Sequence, residues 1–389
     1  MDPLTANLFF LAGDRWKTIR TKLTPAFTSS KVKTMFPILV QCGRHLEQAM
    51  KDICTKNVKF EVKQISSCYT IDVIGSCAFG LDINSFTNPE NEFVKQGEKF
   101  FSTLTQLNSL SIVLSLLNPK LAELLSVQTI PKDITDFFLR LVEDTVRQRK
   151  KEKYWRKDFM QIMIDLKKNN EVEEGLSINE MAAQSFAFFV AGYDTSSTTI
   201  TFCLYEVAKH SDIQQKLREE IADALSNHNG VTYEAVASMR YLDQVINETL
   251  RKYPPVALMT RVCTEDYLVD SNRNVVIKKG TKVAVPIYAI HHDEEYYPQH
   301  NKFDPERFSD EGITKRPTFA YMPFGAGPRT CAGIRIGLLQ IKVALVILLN
   351  NFQFEVNAKT QEPLEFQNEN FALKVKGGVW LDAYALFNL

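Results

Sequence analysis

The chain has 389 residues, of which 45% are hydrophobic and 11% aromatic, enough for a substantial core and too apolar for disorder. Its 46 basic and 46 acidic residues cancel, so no net field selects nucleic acid as a partner. The seven cysteines (42, 54, 68, 77, 203, 263, 331) form no CxxC pair and the six histidines no zinc spacing, which reads as reduced thiols and no zinc site.

In chain order, the first feature is a basic cluster, Arg15, Lys17, Arg20, Lys22, Lys31 and Lys33, opposed only by Asp14. It reads either as a solvated face or as a docking surface for an acidic partner. Met35 to Ile53 and Ile134 to Lys153 carry helical apolar spacing with charged opposite faces. Between them, Leu107 to Leu125 is the greasiest stretch, expected in the core, with an interfacial helix as the alternative. No run of about 18 apolar residues is found, so no segment is expected to span a membrane. Ser177 and Glu180 form a capping box that opens one long helix, about 45 Å at 1.5 Å per residue.

Asp212 to Ser226 and Thr232 to Lys252 are expected as further helices, the second stopped by Pro254 and Pro255. Short strands are then expected at Tyr267–Val269, Val275–Ile277 and Lys282–Val285, with turns at Asn272 and at Lys279–Gly280. The adjacent His291 and His292 would not share a helix face and are read as surface residues. Tyr296 to Pro317 is irregular. A helix follows Cys331, with Ile334, Leu338, Ile341, Leu345 and Leu348 as its apolar face. Phe371–Val375 and Val379–Leu381 read as a closing hairpin. With no repeats and no linker, residues 1–389 read as one mainly α domain with small β-sheets.

The motif-bearing stretch is "PFGAGPRTCAGIRIG", Pro323 to Gly337. Gly325, Gly327 and Gly333 allow tight turns or a close approach to another body, and Arg329 can lower the pKa of a nearby thiol or hold an anion. The spaced set Phe324, Gly327, Arg329, Cys331 and Gly333 resembles the cysteine loop of the cytochrome P-450 family, the haem-thiolate monooxygenases. Four more motifs fall in that family's order. "WKTIR" places Trp16 and Arg20 at i, i+4; "AGYDTS" carries Ala191, Gly192, Asp194 and Thr195; "ETLR" carries Glu248 and Arg251; "PERF" carries Arg307.

The resemblance covers essentially the whole chain and implies the following. Cys331 is the axial iron ligand of a haem b, its charge eased by N–H groups at the start of the next helix. Trp16, Arg20, Arg261 and Arg329 hold haem propionates, with Phe324, Gly333 and Ala191 also against the haem. Asp194 and Thr195 relay protons towards iron-bound dioxygen. Glu248, Arg251 and Arg307 form a buried ion network that holds the cysteine loop. Phe188, Val256, Ala257, Met259 and Phe371 are expected to contact a lipophilic substrate, with a core role for each as the alternative.

The implied reaction inserts one oxygen atom of O2 into a xenobiotic or a hormone. Electrons come from NADPH through cytochrome P-450 reductase, with cytochrome b5 as a further partner. "LTPAFTSSKVK" and "FFVAGYDTSS" are most similar to the microsomal branch and its insect detoxification members, implying association with the cytosolic face of the endoplasmic reticulum membrane. Members of that branch begin with a membrane anchor, a hinge, the first strands of the main sheet and two helices. The sequence has no counterpart to these before Trp16, so the fold is expected to lack them. Two other readings stay open: a catalytically inactive haem-binding or interaction protein, and a haem-thiolate isomerase or dehydratase. Asp194–Thr195 argues against the second. Thr330 and Ala332 depart from the family's usual asparagine and larger aliphatic residue.

Overall fold

The computed structural model describes residues 2–106, 130–153, 155–168, 176–270, 275–367 and 372–386. The stretch Leu107 to Leu125, the turn at Asn272 and Phe371 fall outside the described residues. The chain divides into two compact units, Met1–Arg240 with Ala332–Leu389, and Tyr241–Cys331.

In the larger unit, α1 (Gly13–Leu23) and α2 (Ser29–Thr55) come first, α2 starting six residues before the expected Met35. Pro37 lies within α2 on its exposed side, where its missing N–H costs least. A two-residue strand β1 (Phe60–Glu61) leads into α3 (Val62–Ile74), whose last turn continues as a π-helical turn, Gly75–Phe79. Then come α4 (Glu92–Gln106), α5 (Lys132–Glu152), α6 (Phe159–Lys168) and the long α7 (Ile178–Lys209). The capping box forms: Ser177 Oγ accepts from the Glu180 N–H at 3.2 Å, and Glu180 Oε2 accepts from the Ser177 N–H at 3.0 Å.

The helix α7 is buried over most of its length because it packs against α3, α5 and α13 at once. Its phenylalanines Phe186 and Phe189 meet Phe138 of α5 with ring centroids 5.0 and 5.3 Å apart, the heart of an aromatic core. After α8 (Ser211–Asn227), the expected helix Thr232 to Lys252 is two: α9 (Tyr233–Ser238) and α10 (Arg240–Lys252). Met239 between them is extended at φ −76°, ψ 97°, so apolar periodicity ran on across a real break.

The helix α13 (Ile334–Asn351) returns the chain to the larger unit and packs on α2 and α7. Among the described residues it is the one helix long and apolar enough to cross a bilayer, yet 61% of that window is buried inside the protein, as a core helix requires. The final strands β6 (Phe352–Val356) and β7 (Trp380–Ala385) pair antiparallel, Phe352 opposite Ala385 and Val356 opposite Leu381. On its other edge β7 pairs with β1, Phe60 opposite Leu381. The expected closing hairpin is corrected here. The partner of β7 is β6, which the sequence reading missed, and Val375 bridges Phe366 instead.

In the smaller unit, α10 is followed by two antiparallel pairs. These are β2 (Met259–Val262) with β5 (Lys282–Val285), and β3 (Tyr267–Asp270) with β4 (Val275–Ile277). Short helices α11 (Ile287–His291) and α12 (Asp310–Thr314) punctuate an otherwise irregular segment.

Candidate haem site

The smaller unit carries the cysteine loop, and its backbone shows why the glycines are there. Gly325 and Gly327 sit at φ +74° and +73°, the left-handed region that L side chains avoid. Gly333 also lies in a turn, where it caps α13, but at φ −89° and ψ 13°, a conformation open to any residue. The two turns fold the loop back until the Cys331 N–H donates to the Phe324 carbonyl at 2.9 Å. A single 3₁₀ turn, Gly327–Arg329, is tied off by the Thr330 hydroxyl, which donates to the Gly327 carbonyl at 2.7 Å. Of the seven cysteines, Cys331 is the one exposed. Beside the loop runs β2. A Cβ on Gly325 would lie 3.2 Å from Met259 Sδ and 3.8 Å from an Arg261 guanidinium nitrogen. Met259, Arg261 and the loop are therefore neighbours. Val256 and Ala257 are half-buried just before β2, and Arg329 is half-buried within the loop.

Behind the loop lies an ion network with a dry centre and a partly exposed edge at Arg307. Glu248 and Arg251, one turn apart on α10, are both fully buried. The guanidinium donates twice to the carboxylate, Nε to Oε2 at 2.7 Å and Nη2 to Oε1 at 2.8 Å. Its other protons go to the carbonyls of His291 (2.9 Å) and His300 (2.8 Å). Glu248 also accepts from the Asp304 N–H at 3.0 Å, while Arg307 Nε stands 3.6 Å from Oε1 as an ion pair. Arg307 spends its hydrogen bonds on the carbonyls of Pro298 and Gln299. Burial pushes the Glu248 carboxyl up and the Arg251 guanidinium pulls it back.

His291 belongs to this network, and its surface reading is corrected. It is fully buried, ring stacked on Tyr321, Nδ1 3.2 Å from the Arg251 carbonyl and Nε2 accepting from the Met322 N–H at 3.0 Å. Those partners require the neutral Nδ1–H tautomer. Burial lowers its pKa to about 3, which keeps it neutral. Adjacency rules out a shared helix face for two histidines, but it does not exclude burial of one.

In the larger unit, Trp16 and Arg20 share one face of α1, both half-buried. Midway along α7, four consecutive carbonyls each accept from a side chain. Thr195 Oγ1 donates to Ala191 at 2.5 Å, Gln340 Nε2 to Gly192 at 3.2 Å, Thr70 Oγ1 to Tyr193 at 3.0 Å and Lys63 Nζ to Asp194 at 2.9 Å. Lys63, Thr70 and Gln340 were not singled out by sequence reading, because each is a lone polar residue in an otherwise ordinary helical pattern. Ala191 is the one exposed residue of α7 between Asn179 and Lys209. Gly192 faces the other way: a Cβ there would lie 2.4 Å from Ile74 Cδ1, so this glycine admits α3. Phe188 stacks on Phe159 and Phe27, ring centroids 4.8 and 5.5 Å apart, within an aromatic cluster of the larger unit.

A family model, "Cytochrome P450", matches residues 1–381. "Probable cytochrome P450 6a20" of Drosophila melanogaster is 43% identical over 386 residues, covering 98% of this chain and 77% of the relative. "Probable cytochrome P450 6a13" of the same fly is 44% identical over 383 residues, covering 98% and 76%. "Cytochrome P450 6a2" is 40% identical over 391 residues, covering 98% and 77%. The chain belongs to the cytochrome P-450 family, with its mainly α fold, its haem held by a cysteine thiolate and its monooxygenase chemistry. Within the smaller unit the residues present fit that group: an exposed thiol for iron and a nearby arginine for a carboxylate.

Proposed function

We propose that the chain oxygenates lipophilic xenobiotics, with hormones as the second substrate class, using electrons from NADPH delivered by cytochrome P-450 reductase. Cytochrome b5 serves as a further donor, and the enzyme works at the cytosolic face of the endoplasmic reticulum. The observation that carries the reading is the exposed Cys331 thiol on a loop turned by two left-handed glycines, in a chain of this family. Haem, when bound, supplies the activation of dioxygen and the transfer of one oxygen atom to the substrate.

The chain's own residues then have these roles. Cys331 gives the axial thiolate, and Glu248, Arg251 and Arg307 keep its loop in place. Trp16, Arg20, Arg261 and Arg329 bind the propionates, and Phe324, Gly333 and Ala191 lie against the macrocycle. Asp194 and Thr195 move protons. The Thr195 hydroxyl, donating to the Ala191 carbonyl, keeps lone pairs that can accept a proton as it gives one up. Val256, Ala257 and Met259 offer apolar surface to the substrate. Phe188 and Phe371 complete the set of substrate residues that family resemblance supports.

The test is the optical spectrum of the reduced protein under carbon monoxide. A far-red-shifted Soret band, lost in Cys331→Ala, is expected. No bound haem, or a band typical of a neutral ligand, would overturn the assignment of Cys331. In turnover, Thr195→Ala should consume NADPH and O2 without matching product.

A further inference from the structure

One ammonium in the larger unit has more oxygen partners than protons. Lys63, the second residue of α3, reaches α7 and donates to Asp194 Oδ1 (2.7 Å), Ser197 Oγ (2.7 Å), Thr198 Oγ1 (2.7 Å) and the Asp194 carbonyl (2.9 Å). An ammonium carries three protons, so at least one is shared between two acceptors. The Lys63 and Asp194 side chains are 24% and 19% exposed, a partly dry setting in which an ion pair interacts more strongly than on the surface.

The other charged groups facing Lys63 are Glu61 from β1 and Lys374 from the C-terminal segment. Glu61 is committed elsewhere, accepting from the backbone N–H groups of Gln64 (2.8 Å) and Val379 (3.1 Å). Asp194 is thus the carboxylate that Lys63 holds. The two members of the acid–alcohol pair are fixed to opposite partners, Asp194 to Lys63 and Thr195 to the Ala191 carbonyl.

We infer that Lys63 is a positioning residue for oxygen activation, fixing the rotamer of the Asp194 carboxylate through their ion pair and hydrogen bond and, through it, the supply of protons to Thr195. The inference rests on the relay reading of Asp194 and Thr195. A residue that merely tied α3 to α7 would be replaceable without moving any pH profile. A residue whose ammonium neutralises the Asp194 carboxylate would not, because its loss leaves that charge unpaired in a partly dry site, 2.7 Å from where the ammonium stood.

Two measurements on the haem-loaded protein test this. The first needs no turnover: competitive acetylation of lysines, read by mass spectrometry. Lys63 is expected to react about tenfold more slowly than exposed lysines and to approach their rate in Asp194→Asn. Labelling of Lys63 at the exposed-lysine rate in the unaltered protein would overturn the inference. The second is product formed per NADPH consumed, as a function of pH. Lys63→Met should lower this ratio by about threefold or more near neutrality and displace the pH profile, while Lys63→Arg restores both. If Thr195→Ala uncouples but Lys63→Met keeps ratio and profile, the role of Lys63 falls and the relay stands. If Thr195→Ala leaves coupling unchanged, the relay falls and the role of Lys63 with it.

Discussion

Arg251 and Glu248 each leave water completely, and the bidentate pair with its carbonyl partners offsets that loss only while every member is present. Glu248→Ala strands a buried guanidinium and is expected to lower stability by about 3–5 kcal/mol, read by urea denaturation. His291 adds a pH dependence with a definite sign. Its pKa falls from 6.5 unfolded to about 3 folded, so its contribution is intact above pH 6.5 and is lost as pH falls towards 3. The slope approaches about 1.4 kcal/mol per pH unit within that window. His291→Gln keeps a donor and an acceptor but cannot titrate. The stability of the unaltered protein should therefore fall more steeply between pH 7 and pH 5 than that of the variant. Asp72 acts in the opposite sense. Burial raises its carboxyl from 3.8 to about 7, so its contribution is present below pH 3.8 and is lost as pH rises through about 7; Asp72→Asn should remove it. These residues differ in how readable they were. Cys331, Glu248 and Arg251 stood in spaced motifs, whereas His291 and Lys63 owe their roles to partners far away in sequence, which no local pattern encodes.

At the level of elements, the meeting of α3 and α7 decides most of the site. Gly192 lets the helices approach until Ile74 occupies the place of a side chain, and Thr70 and Lys63 from the same α3 reach carbonyls of the next two residues. Gly192→Val puts two methyls into that contact and should cost about 1–3 kcal/mol, a loss relieved by Ile74→Ala; thermal unfolding of the single and double variants checks it. The long α7 was legible because a capping box and an unbroken apolar run agree. The break at Met239 was not, since both flanking helices share one period and Met239 is an acceptable helical residue by propensity. The pairing of β6 with β7 was missed for a different reason: Phe352–Val356 follows directly on α13, and the turn-type residues at the junction, Asn350 and Asn351, both still lie in the helix.

For the molecule as a whole, the division into units means that the Glu248 network is local in its effects. Hydrogen exchange in Glu248→Ala is expected to speed up across 241–331 while α3 and α7 keep their protection; uniform loss everywhere would contradict that division. The three-stranded sheet of the larger unit has a consequence for biosynthesis. Its central strand, β7, is made after both of its partners, pairing with β6 shortly before it and with β1 far upstream. Until β7 is made, β1 has no partner in this sheet and α3, which follows it directly, lacks its tether at that end. The closing of this sheet is a contact of extreme sequence separation, the kind that slows folding and prolongs the exposure of strand edges. A nascent chain of this protein therefore carries β1 unpaired until β7 is made, and its dependence on chaperones should persist until Trp380–Ala385 clears the exit tunnel.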